Sequence, residues 1–201
     1  VSFGKKKEII DASDHKLIEY LIKNKHYSPF RHAMMQFHIK APEFVMRQFY
    51  KHVVGCEWTS SYPTKDHAWN ELSLRYVEVA DYYEPCEWRK QSEDNKQASD
   101  GLVDKQMESN LLYNKAMSHM LSAYKNLLAL GVAKEQARII LPLSIYTEVY
   151  WTASFQAIMN FIELRRSSHA QLEIRKYAEV LENIMKDYFP VSTELWLKHN
   201  Q

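Results

Sequence analysis

Leu17, Ile18, Leu21 and Ile22 recur at helical spacing behind Ser13, which can cap a first turn, and the run gives way to the polar Lys23-Asn24-Lys25. The pattern predicts an amphipathic surface helix. From Met35 the spacing becomes alternating, with Met35, Phe37 and Ile39 on one face and Gln36, His38 and Lys40 on the other, as in a half-buried strand. Ala41-Pro42 is expected to stop that strand. Pro42 then suits the first turn of a helix with Phe44, Val45 and Phe49 as its apolar stripe, and Gln48, Lys51 and His52 fall late on it. Between Val53 and Trp69 no period holds, and Gly55, Ser60, Ser61 and Pro63 give the composition of a long loop. Irregular stretches of that length often carry function.

The chain from Glu84 to Gly101 is polar with no apolar period and reads as loop or fraying helix. A long helix from about Val103 to Leu130 follows, with Gly131 in a favourable position just past its end. A short helical piece around Glu135 to Ile140 stops before Pro142, and the β-branched and aromatic content of Thr147 to Ala153 favours strand. Two further helices are expected to close the chain. The last opens on a capping box from Ser168 to Gln171 and presents Ala170, Ile174, Tyr177, Ala178, Leu181 and Ile184 on one face. No repeat or second boundary interrupts the pattern. Residues 1–201 are expected to form a single α+β domain, a central, mostly antiparallel sheet flanked by long helices.

Charge narrows the partners. Lys and Arg number 26 against 25 Asp and Glu, a net charge of +1, which removes the simplest case for non-specific nucleic-acid or membrane binding. Any anion site must be local. Cys56 and Cys86 have no CxxC spacing, so neither a disulfide framework nor a thiolate zinc site is implied, and a reducing, cytoplasmic setting fits. No apolar run approaches the roughly 20 residues that span a bilayer, and the N-terminal lysines precede no apolar core of a signal peptide. With 4 glycines and neither GxGxxG nor GxxxxGK[ST], a bound nucleotide would be held by side chains.

Three separated stretches then resemble, in order, the flavin-dependent thymidylate synthases. The first, HYSPFRHAMMQFHIKAPEFVMRQFYKH from His26 to His52, is similar to that family's histidine-containing turn, strand, and helix ending in RHR. The second, NELSLRY from Asn70 to Tyr76, is close to the NExSxRY half of its signature and is the strongest single motif. The third runs from Ala137 to Ala178 and follows the order ARxxLP, Thr-rich strand, helix, LR and HAQxEI. Val1-Ser2-Phe3 also looks like the family's VSF, which implies that the strand normally preceding it is absent from this sequence. The departures fall on the flavin side. RHR is reduced to Lys51-His52-Val53, seventeen residues separate His52 from Asn70, Asn-Ala-Arg becomes Ser154-Phe155-Gln156, and a glutamate after the histidine turn becomes Arg31.

The resemblance implies methylation of dUMP by a homotetramer with sites shared between subunits, FAD as cofactor, NADPH as its reductant and methylenetetrahydrofolate as carbon donor. It assigns Gln48, Lys51, Glu71, Leu72, Ser73, Leu74, Arg75, Arg138 and Arg165 to dUMP. Within that set Gln48, Ser73, Arg75 and Arg138 would hold phosphate and ribose, and Arg165, the catalytic candidate, would face the uracil. It assigns Ser2, His26, Ser28, Lys51, His52, Val53, Glu71, Ser154, Gln156 and Asn160 to FAD. The residue types fit a dianion on a planar base, because guanidinium forks and hydroxyls bind phosphate and an arginine stabilises charge without losing its proton. No motif locates folate or NADPH.

Blander readings stand beside these. Taken singly, Arg75, Arg138 and Arg165 read first as surface salt-bridge partners; their joint occurrence inside matched motifs points to ligands. Ser73 has no demonstrable base partner and receives a binding role. Glu71 alone would be a strand-end surface acid. His26, His32, His38 and His52 make a poor metal set, since His32 and His38 lie six apart on an extended chain. His52 is open between a flavin contact and a structural histidine, and Trp58 and Trp69 have no catalytic task. Lys51 cannot make a two-pronged contact, so Lys65, Asp66, His67 or backbone amides of the long loop are expected to compensate. The rival function is a degenerate homologue that binds nucleotide or flavin without turnover.

Overall fold

Alternation carries strand β1 (Met34–Pro42) further than expected, with Phe37, Ile39, Ala41 and Pro42 buried and His38 and Lys40 exposed. In the computed structural model, which describes residues 7–59, 65–79 and 81–200, β1 pairs antiparallel with β7 (Tyr146–Ser154) from Met34↔Ser154 to Pro42↔Tyr146. Strand β4 (Trp69–Glu71) lies on the other side of β7, also antiparallel, in the order β1-β7-β4. Pro42 is therefore the last strand residue and the N-cap of the next helix, not a helical first-turn residue.

The helix expected after Pro42 is a single turn, α2 (Glu43–Met46). Gln48 N, Phe49 N and His52 N each donate three residues back, to Val45, Met46 and Phe49. These tighter turns replace a continuing α-helix and seat Val45, Met46 and Phe49 together in the core, so Gln48, Lys51 and His52 lie on turns. The stretch from Val53 to Trp69 is not all loop either. It contains the hairpin β2 (Glu57–Thr59) and β3 (Lys65–His67) before β4, strands of three residues that are too short for alternation to register.

The polar stretch after Tyr82 holds a second hairpin, β5 (Arg89–Gln91) and β6 (Ser99–Leu102). It shows no apolar period because polar side chains hold it. Gln91 Nε2 donates to the carbonyls of Asn95, Lys96 and Ala98, and Gln106 exchanges two bonds with the Trp88 backbone at 2.8 and 2.7 Å. Helix α3 (Gln106–Ala129) ends as expected, with Gly131 at φ +85°, a left-handed conformation that favours glycine. Helix α4 (Lys134–Ala137) runs into a 3-10 turn, Arg138–Ile140, ahead of Pro142.

Helix α1 (Ala12–Lys23) is capped by Asp11 rather than Ser13: the Asp11 carboxylate accepts from Ser13 N and Asp14 N, and Asp14 completes the capping box. Three helices, not two, close the chain. After α5 (Phe155–Arg166), helix α6 (Leu172–Tyr188) starts from Gln171 without a side-chain cap, because Ser167–Ala170 is taken up in a turn, so no capping box forms at Ser168. Helix α7 (Pro190–His199) restarts at Pro190, which breaks α6 and suits a first turn.

Helix α5 is buried at every position from Phe155 to Ile162 except Asn160, and forms the centre of the core between the sheet and α6–α7. Phe161 stacks on Phe49 at 4.3 Å and meets Trp151 at 6.0 Å, while Trp196 of α7 packs on Phe30 and Phe155. The result is mixed α and β structure with small antiparallel sheets. Among the described residues no helix is long and apolar enough to cross a membrane.

Candidate active site

The edge of the sheet makes one wall of a cavity. Leu72 N donates to Glu148 O at 2.9 Å, continuing the β4–β7 ladder, and Tyr76 N then donates to Ser73 O at 3.0 Å to close a turn. Glu71 and Ser73 are thus delivered by backbone pairing. Both oxygens of Glu71 are held, one by Thr147 Oγ1 at 3.0 Å and the other by Trp69 Nε1 at 3.1 Å. Helix α2 and the turns after it bring Glu43, Met46, Arg47 and Tyr50, and the 3-10 turn after α4 brings Arg138. With Leu72, Ser73 and Leu74 they line a cavity of about 580 Å³, a size suited to a small ligand.

Its charges are arranged unevenly. Burial, and then the charge of the neighbouring Glu71, push the Glu43 carboxyl above its ordinary range, with Arg47 opposing. Arg138 Nε donates to Glu135 O at 3.3 Å, and Arg75 Nη2 donates to Tyr76 Oη at 3.3 Å. Neither has a carboxylate partner among the described residues. Arg89 and Arg166, by contrast, are each paired at 2.7 Å, to Glu173 and Glu182. The salt-bridge reading of Arg75, Arg138 and Arg165 finds no partner among the described residues.

The structure brings together Glu71, Leu72, Ser73, Leu74 and Arg138 of the expected nucleotide set. It leaves the others outside the cavity wall. Arg75 lies over the Tyr76 ring at 5.4 Å, Lys51 over Tyr50 at 5.4 Å, and Gln48 bonds to Gln171 at 3.1 Å. Arg165 belongs to a second cluster. Its Nε is buried without a hydrogen-bond partner, burial lowers its pKa, and it faces His52. His52 meets Phe161 edge-on at 5.1 Å, and burial, followed by the Arg165 charge, holds it down to about 4, so it is neutral at pH 7.

The other residues expected to hold flavin lie at the start and middle of α5 and on the segment before β1. Ser154 is fully buried and caps α5: its hydroxyl accepts from Ala157 N at 3.1 Å and donates to Val54 O at 2.6 Å. Gln156, 6% exposed, accepts from Arg31 Nε at 2.8 Å. The two departures at positions 31 and 156 therefore touch each other. His26 and Ser28 are exposed on the segment before β1, and Asn160 is half-buried one turn along α5 from Gln156. Ser2 and the side chains of Lys65 and Asp66 lie outside the described residues. The donors present, an orphaned buried guanidinium nitrogen, an imidazole and an amide, suit the carbonyls and ring nitrogens of a flavin, so this set fits that group.

Glu43, Met46, Arg47, Tyr50 and Trp69 line the cavity unforeseen. Arg47 adjoins Gln48 inside the first matched stretch, which is a usable signal. Glu43 is masked in the sequence because an acid in a helical first turn is expected on dipole grounds alone. Trp69 reads there as core packing, yet its indole orients Glu71.

An α+β fold with a cavity at the edge of an antiparallel sheet, lined by hydroxyl, carboxyl and guanidinium groups, has the form of a site for a small polar ligand. The family model described as Thymidylate synthase complementing protein matches residues 1–191. The flavin-dependent thymidylate synthase of Thermosipho africanus is 40% identical over 201 residues, covering 98% of this chain and 82% of the relative. That of Thermus thermophilus is 38% identical over 201 residues, covering 99% and 69%. The crystal structure of the UMP/dUMP methylase PolB from Streptomyces cacaoi, bound with 5-Br dUMP, matches with a TM-score of 0.80 at 30% identity, over 96% of this chain and 83% of that one. The chain belongs to the family of flavin-dependent thymidylate synthases.

Proposed function

We propose that this chain, as a single cytoplasmic domain, converts dUMP to dTMP with methylenetetrahydrofolate as carbon donor and NADPH-reduced FAD as hydride source. The observation that carries the reading is the cavity in which Ser73 and Arg138, without a competing carboxylate partner among the described residues, sit beside the fixed Glu71. Ser73 and Arg138 hold phosphate, Glu71 takes the ribose, and Leu72 and Leu74 shape the walls. Gln48, Lys51 and Arg75 close on the nucleotide from outside the wall. Arg165 acts as the catalytic residue: a desolvated guanidinium favours negative charge on the uracil and so raises electron density at the carbon to be methylated. His26, Ser28, Lys51, His52, Val53, Gln156 and Asn160 would hold FAD, which supplies the hydride. The sum balances: dUMP, methylenetetrahydrofolate and reduced FAD give dTMP, tetrahydrofolate and oxidised FAD.

A homotetramer with shared sites completes the reading. It is supported by the apolar face of α3, where Met107, Leu111 and Leu112 are 85%, 70% and 70% exposed, with Ile139 nearby in sequence to Arg138 at 78%. Arg165 and Arg138 also belong to separate clusters, which an assembly would bring to one substrate. The test is tritium release from dUMP labelled at C5, with each of FAD, NADPH and methylenetetrahydrofolate left out in turn. Release that needs all three, and falls at least about 100-fold in Arg165→Ala, supports the proposal. Binding of dUMP with no release under any condition would instead make the chain a nucleotide-binding module.

A further inference from the structure

FAD carries a diphosphate, and the residues assigned to it contain one side chain of fixed positive charge, Lys51. His52 is neutral at pH 7, and Val53, Ser154 and Gln156 carry no charge. A diphosphate with that little compensation would bind weakly, because two negative charges must leave water.

Arg31 stands where the missing charge is needed. It lies three residues beyond Ser28 on the 3-10 turn Ser28–Arg31, anchored by buried Phe30 against Phe155 and Trp196, each at 5.6 Å. Its stem crosses Gly55, two residues past Val53. A Cβ at position 55 would come within 2.7 Å of Arg31 Cβ, and Gly55 has φ +74°, so this close approach requires glycine. Its Nε is fixed by buried Gln156 at 2.8 Å. The guanidinium is exposed, and its outer nitrogens have no partner among the described residues. Arg31, on the same 3-10 turn as Ser28, thus packs on Gly55 just beyond the 51–53 stretch and is held by Gln156 of the 154–156 stretch. An arginine held through Nε presents its two outer nitrogens in the geometry that a diphosphate accepts.

We infer that Arg31, seated on Gly55 and braced by Gln156, is a ligand of the FAD diphosphate, an inference that rests on the flavin-dependent reading above. Gln156 then serves the FAD site proposed above by positioning Arg31. A neutral amide there orients the guanidinium without cancelling its charge.

The experiment titrates the flavin-free full chain with FAD and with riboflavin, which has no phosphate, following flavin fluorescence. In Arg31→Ala, Kd for FAD rises roughly 10- to 100-fold, the loss of a charge-assisted contact, while Kd for riboflavin stays within about twofold. Arg31→Lys, which keeps the stem on Gly55 and the charge but not the fork, gives an intermediate loss. Gln156→Glu weakens FAD as well, by pairing with the guanidinium in place, and dUMP affinity and melting temperature report that each variant is folded. An FAD Kd unchanged in all three variants, or an equal loss of riboflavin binding, overturns the assignment while leaving the flavin reading intact. A wild-type chain that binds no FAD overturns both.

Discussion

At the residue scale, Glu71 and Arg165 show opposite uses of a polar group. Glu71 is satisfied on both oxygens before any ligand arrives, so it is preorganised and its geometry is fixed. Arg165 Nε is buried and unsatisfied, which costs stability and leaves a donor for an incoming acceptor. Arg138 lies between these extremes, exposed and bonded through one nitrogen. Arg138→Ala is expected to weaken dUMP binding roughly 10- to 100-fold by calorimetry, with little change in melting temperature, since a charge-assisted contact is lost but no core is opened. Unchanged affinity would remove Arg138 from the phosphate site.

His52 gives a pH prediction. Its pKa in the folded chain, about 4, is below the ordinary 6.5, so between those values the unfolded chain binds a proton that the folded one does not. The stabilisation is present above pH 6.5 and is lost as pH falls toward 4. Denaturant unfolding should show a loss of about 1–2 kcal/mol over that window, after discounting for solvent screening, and His52→Gln should remove this component. A wild-type stability that is flat across the window, or unaltered in slope by His52→Gln, would contradict the burial argument.

At the element scale, how much is legible in the sequence depends on where each element takes its stability. Strands β1 and β7 each bury one face along nine residues, and alternation marks β1 while β-branched and aromatic content marks β7. Helix α3 is legible to within a few residues from its Gly131 end. The two hairpins leave no signal because their strands are three or four residues long and the second is held by side chains of Gln91 and Gln106. Helix α7 escapes because Pro190 restarts a helix where a proline more simply reads as a stop. In the candidate site, the NELSLRY run marks Glu71 to Leu74, and ARxxLP marks Arg138. Glu43, Arg47 and Tyr50 arrive through tight turns that no periodic pattern announces. The unforeseen helix is testable: Trp196 is 1% exposed and its indole donates to Glu163 at 2.6 Å, so Trp196→Ala should cost about 3–5 kcal/mol in denaturant unfolding. A cost below about 1 kcal/mol would mean that α7 is not integral to the core.

At the scale of the whole molecule, the uneven burial of α3 is the main feature. A 24-residue helix with Met117 and Tyr124 as its buried residues gains little from this chain alone, and its exposed leucines match what subunit contacts bury. Sedimentation velocity should show a tetramer for the wild type. The double variant Leu111→Asp/Leu112→Asp should dissociate it and lose activity in parallel, the outcome that the proposed sharing of sites between subunits requires. A fully active monomer would contradict shared sites.

The central claim is that the nucleotide, folate and flavin chemistries meet in this chain. The most direct measurement is anaerobic single turnover: FAD on the enzyme is reduced in advance, dUMP and methylenetetrahydrofolate are added together, and flavin absorbance and dTMP are followed. The account predicts that oxidised flavin returns and that dTMP forms in equal amount, with neither change when dUMP is omitted. Flavin that stays reduced while dUMP is bound, or that reoxidises without dTMP, would contradict it.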